Sequence, residues 1–131
     1  MIADPISILI TDDDANFRET LEGVLAPRGF RTLLAADGQE ALDIVYRDQV
    51  HLILMDMHMP RLGGIETLRR VKQFKSILPC IMMSAGADQQ MIDEAQRADA
   101  FTVLRKPVSR MSVIDSVQLA LRQVYNWHER T

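Results

Sequence analysis

Residues 51–64 read His51-Leu52-Ile53-Leu54-Met55-Asp56-Met57-His58-Met59-Pro60-Arg61-Leu62-Gly63-Gly64, and the order of residue types in that stretch decides the fold. Its opening, residues 51–55, is too short for a helix and too apolar for a strand with one wet face. It reads as a strand buried on both faces. The acid Asp56 follows directly, then a loop with proline and two glycines. Ile65, Leu68, Val71 and Phe74 come next at helical spacing, until Pro79 ends the unit.

Working outward, the alternation recurs. Residues 6–10 and 80–83 are further continuous apolar runs, whereas residues 30–35 and 101–105 interleave polar side chains and suit the edges of a sheet. Phe17, Leu21, Val24 and Leu25 share a helical face, with Gly29 as the stop. Asp37 and Glu40 resemble a capping box ahead of Ala41, Leu42 and Val45. Asp88 or a neighbour caps a helix bearing Met91, Ile92, Ala95 and Ala98. Ser109 caps the last, with Ile114, Val117, Leu121 and Val124 in register. Strand then helix, five times over, predicts a doubly wound α/β fold: a parallel sheet covered on both faces and joined by right-handed crossovers.

The chain has 131 residues, 47% hydrophobic and 25% charged, which suits one ordinary globular domain and argues against disorder. No apolar run approaches the ~20 residues of a membrane helix. The amino terminus carries no basic segment of the kind that opens a signal peptide. The expected location is therefore cytoplasmic. A lone Cys80 builds neither a disulfide framework nor a zinc site and reads as a buried, inert thiol. The net charge of −3 leaves no footprint for direct binding of nucleic acid.

In open parallel sheets the functional crevice lies at the carboxyl ends of the strands. There the first strand ends in Thr11-Asp12-Asp13-Asp14, the third in Asp56, the fourth in Ser84-Ala85 and the fifth in Lys106-Pro107. Each alone is unremarkable, since an aspartate after a strand is commonly a cap or turn residue. Together they converge. Clustered carboxylates repel, and a hard divalent cation with oxygen ligands such as Mg²⁺ resolves that repulsion. A lysine and a hydroxyl opposite suit phosphate oxygens, and phosphoryl transfer asks mainly for positioning and neutralised charge.

On these residues the chain resembles the response-regulator receiver domains of two-component signalling. The likeness runs through Ile8 to Asp14, Leu52 to Gly64, Met83-Ser84-Ala85 and Arg105-Lys106-Pro107, and covers residues from about 6 to about 124. It implies a flavodoxin-like sheet of five parallel strands in the order 2-1-3-4-5 with five helices. It also implies a single receiver domain over residues 1–131 with no effector domain, acting as a signalling domain rather than as an enzyme with a turned-over substrate. Asp56 then matches the phosphoacceptor, and Asp12 and Asp13 the acidic pair that holds Mg²⁺ together with Asp56 and the backbone carbonyl of His58. Ser84 matches the switch hydroxyl. Lys106 matches the lysine that pairs with a phosphoryl oxygen, with a cis bond to Pro107. Ala85 is small enough to admit the donor. The partners implied are a sensor histidine kinase or histidine phosphotransfer protein, and an effector reached through the fourth helix, fifth strand and fifth helix.

The chain departs from the family pattern at three places. Val103 stands where Tyr or Phe is usual, and Asp99 where a glycine usually precedes the fifth strand. His58 could face the pocket mouth and tune the access of water. Val103 is short and stiff at χ1, so the change on phosphorylation is expected in the loop after Ser84, residues 84–88, and in the fourth helix. Two other readings compete. A haloacid-dehalogenase-like phosphatase uses Asp-x-Asp-x-Thr on its first strand, and Asp12-Asp13-Asp14-Ala15-Asn16 lacks that threonine. A degenerate, phosphorylation-independent docking receiver would lack pocket residues, and here all five are present.

Overall fold

The computed structural model describes residues 2, 4–86 and 89–129. Five parallel strands, β1 (Ser7–Thr11), β2 (Arg31–Ala35), β3 (Leu52–Asp56), β4 (Cys80–Ser84) and β5 (Thr102–Arg105), form one sheet in the order β2-β1-β3-β4-β5. The order follows from apolar content. Every residue of β1, β3 and β4 is buried, while β2 and β5 are partly exposed and occupy the edges. Alternate side chains leave the sheet on opposite faces. Leu9, Ile53, Met55 and Met82 meet helices α2 (Gly38–Arg47), α3 (Gly64–Phe74) and α4 (Gln89–Arg97). Ile8, Ile10, Leu54, Ile81 and Met83 meet α1 (Ala15–Leu25) and α5 (Arg110–Tyr125) on the other side.

The helix boundaries follow local chemistry. Asp14 caps α1 by accepting from the amides of Asn16 and Phe17, and Ser109 caps α5 by accepting from that of Ser112. Asp37 accepts from the Glu40 amide at 2.8 Å, but the reciprocal half of the box is displaced: Glu40 reaches the amide of Ala36, at 3.4 Å. The capping residue expected at Asp88 lies outside the described residues. Past α1 a short 3₁₀ turn at Ala26–Arg28 ends on Gly29, whose φ of 94° requires a residue without Cβ strain. Asp99, in the place of the expected glycine, holds a left-handed φ of 72°, a conformation Asp tolerates better than most residues.

Three strands, β1, β3 and β4, run one residue further than the apolar runs suggest, to Thr11, Asp56 and Ser84. Asp56 pairs with Met83 and Ser84 with Arg105 in the ladder, so these two polar residues are themselves the last strand positions. Cys80 is buried, and burial pushes its thiol up to about 12, which makes it unreactive. Among the described residues no helix is long and apolar enough to cross a membrane.

Candidate functional site

β1 and β3 are hydrogen-bonded neighbours, so their carboxyl ends deliver Asp12 and Asp56 to the same edge of the sheet. Both are nearly inaccessible, at 1% and 4% relative exposure. Asp13 is exposed beside them, and carboxylate oxygens of Asp12, Asp13 and Asp56 lie within 4.8 Å of one another. Lys106 enters from the end of β5, after its own amide donates to the Ser84 carbonyl at 2.8 Å. Its peptide bond to Pro107 is cis, as expected. The Lys106 ammonium lies 2.8 Å from Asp12 Oδ2 and 3.6 Å from Asp56 Oδ2.

The partners of the two buried acids differ. Asp12 Oδ1 accepts from the Asp14 amide at 2.9 Å, and the Arg18 guanidinium donates to the Asp12 carbonyl oxygen. Asp56 has weaker company, with one long bond of 3.3 Å from the His58 amide to Oδ1. Burial raises the pKa of Asp56 from its ordinary value. The His58 amide and Lys106 partly offset that, and Asp12 adds to it. A buried, under-bonded carboxylate is a good ligand for a cation and a nucleophile that water does not quench. Three hard oxygen donors within reach of one another are the donor set that a small divalent cation such as Mg²⁺ takes.

The other expected residues are placed less centrally. Ser84 is buried, but its hydroxyl donates to the Gly86 carbonyl at 2.9 Å. The His58 side chain and Ala85 are exposed at the rim. Val103 is half-buried and packs on the α2–α3–α4 side of the sheet. Residues 87 and 88, the end of the expected moving loop, lie outside the described residues.

Three features escape a reading of the sequence. Gly64 is one. A Cβ there would fall on the Asp56 carbonyl oxygen and within 2.7 Å of Met57 Cα, so only glycine lets α3 start against the end of β3. The buried Thr11 hydroxyl, next to Asp12, has no partner among the described residues. Phe17 is the third. Its position on the apolar face of α1 marked it as core, yet its ring lies under the Lys106 ammonium, 4.3 Å from centroid to Nζ.

The response regulator receiver domain family matches residues 8–118. The chain belongs to that family. Among its relatives, the sporulation initiation phosphotransferase F of Bacillus subtilis is 37% identical over 111 residues, covering 85% of this chain and 90% of that protein. Response regulator RR06 of Streptococcus pneumoniae is 30% identical, across 92% of this chain but 55% of its own length. The receiver thus spans nearly all of one relative and about half of another. Among solved structures, a CheY-like receiver from Methanospirillum hungatei superposes with a TM-score of 0.89 at 23% identity, over 92% of this chain and 97% of that one. The CheX–CheY–BeF3–Mg²⁺ complex from Borrelia burgdorferi gives 0.83 at 28% identity, over 89% and 90%. As a receiver the chain is a phosphoacceptor signalling domain; receivers take phosphate from histidine kinases or phosphotransfer proteins and bind Mg²⁺ at an acidic aspartate pocket.

Proposed function

We propose that Asp56 is the acceptor in this receiver. A carboxylate oxygen of Asp56 attacks the phosphorus of a phosphohistidine, the bond from phosphorus to the imidazole nitrogen breaks, and an acyl phosphate forms on Asp56. The observation that carries this is the position of Asp56: buried, weakly bonded, and flanked by two further carboxylates and one ammonium. Asp12, Asp13 and Asp56 would hold Mg²⁺, with the His58 carbonyl as a further oxygen ligand. The bound ion supplies positive charge against the phosphoryl oxygens. Lys106 turns from Asp12 to a phosphoryl oxygen, and Ala85 at the rim leaves the donor room to approach.

The test is labelling with acetyl phosphate and Mg²⁺. The protein gains one base-labile phosphoryl group, and Asp56→Asn gains none, since an amide does not serve as this nucleophile. Labelling that survives both the substitution and removal of the metal overturns the assignment.

Output is proposed to pass through α4, β5 and α5. The Ser84 hydroxyl is held by Gly86, so turning it toward a phosphoryl oxygen frees the backbone that leads into α4. With beryllofluoride and Mg²⁺, the largest amide shifts are expected at Ser84–Gly86 and in α4. A rotamer change at Val103 beside a static α4 would refute this.

A further inference from the structure

Lys106 has two kinds of neighbour, and they differ in permanence. Asp12 and Asp56 attract its ammonium at 2.8 and 3.6 Å. Yet these carboxylates are the groups that a cation and the phosphoryl group would claim. Neither anchors the lysine through the reaction. The ring of Phe17 does not compete for either, and its π face attracts an ammonium within about 6 Å; here the separation is 4.3 Å. The ring is well placed to do so. Phe17 sits in the first turn of α1, its amide bonded to the Asp14 cap, and its side chain is half-buried against the α1–α5 side of the core. The Lys106 side chain is only 20% exposed, so the contact is partly shielded from water.

We infer that Phe17 is a positioning residue for Lys106. Its ring face holds the ammonium over the pocket while the lysine exchanges a carboxylate for a phosphoryl oxygen. This rests on the reading of Asp56 and Lys106 given above. It assigns to α1 a part in the chemistry as well as in the core. A leucine at position 17 would fill much of the same volume and offer no π face.

Two measurements test it. In the unphosphorylated, metal-free protein, the Lys106 ε-methylene protons should resonate upfield through the ring current of Phe17, and return to ordinary positions in Phe17→Leu. In acetyl phosphate labelling, Phe17→Leu should be slowed by about fivefold, the scale of one partly shielded cation–π contact. A series of mono-, di- and trifluorophenylalanine at position 17 keeps the ring's shape while draining its face. Labelling should slow stepwise along it, with calorimetric Mg²⁺ affinity unchanged and the melting temperature lowered by no more than about 4 °C, the scale of the contact itself. A flat rate across the series, while Asp56→Asn is dead and Lys106→Met is slow, overturns this inference and leaves the site reading intact. Wild-type labelling by Lys106→Met overturns the role of Lys106, and with it this one.

Discussion

The two ends of the sheet handle buried ionisable groups in opposite ways. At the amino end, His51 is 5% exposed, and its ring Nδ1 accepts the Ser7 amide at 2.9 Å. That bond requires a neutral ring with its proton on Nε2. Burial and the nearby Lys75 ammonium lower the His51 pKa, which reinforces the neutral form. The end is then closed over. The Tyr125 hydroxyl donates to the His51 carbonyl at 2.7 Å, Trp127 packs on Phe30 with 5.5 Å between ring centroids, and Glu129 pairs with Arg28 at 2.9 Å. At the carboxyl end Asp56 is buried as deeply, with one long hydrogen bond and an ammonium 3.6 Å away. One end satisfies its polar groups and stabilises the fold. The other leaves a carboxylate poorly bonded and so available to a ligand.

Two substitutions sharpen that contrast. The larger effect is expected from Gly64→Ala, because the atoms nearest the new methyl are all backbone, of Asp56 and Met57, and cannot swing away as a side chain would. Overpacking of this sort costs about 1–3 kcal/mol, a fall in melting temperature of roughly 4–11 °C. The end of β3 must also move, so labelling by acetyl phosphate should drop by on the order of tenfold or more. Normal labelling in Gly64→Ala would show that the site does not depend on this close approach.

At the closed end, His51→Leu leaves the Ser7 amide buried without its acceptor, at a cost of about 1–3 kcal/mol in urea unfolding at pH 7.5. Labelling of the folded protein should stay at the wild-type rate. The pH dependence separates the ring from its bulk. A histidine whose pKa is lowered by folding is protonated first in the unfolded chain. Its stabilising effect is therefore full above the unfolded value near 6.5 and is lost as pH falls from there toward the folded value. Wild type should lose stability between pH 7.5 and 5.5 by more than His51→Leu does. Equal losses would remove His51 as the cause, and slower labelling in the variant would break the separation of the two ends.

Much of this receiver was legible in the chain. The continuous apolar runs of β1, β3 and β4 and the mixed ones of β2 and β5 placed the central and edge strands, because a strand covered on both faces needs apolar residues at both parities. Asp12, Asp13, Asp56 and Lys106 were legible as a group because parallel topology brings strand carboxyl ends together whatever the side chains are doing. What the chain could not reveal is direction and approach at the scale of a few ångströms. The Ser84 hydroxyl bonding Gly86, the Phe17 ring under an ammonium 89 positions away, the His51 ring accepting from Ser7, and the clearance at Gly64 depend on packing between elements distant in sequence. Periodicity reports which face of an element is buried. It does not report what that face meets, since the neighbour is chosen by the whole fold, and there tertiary structure alone decided.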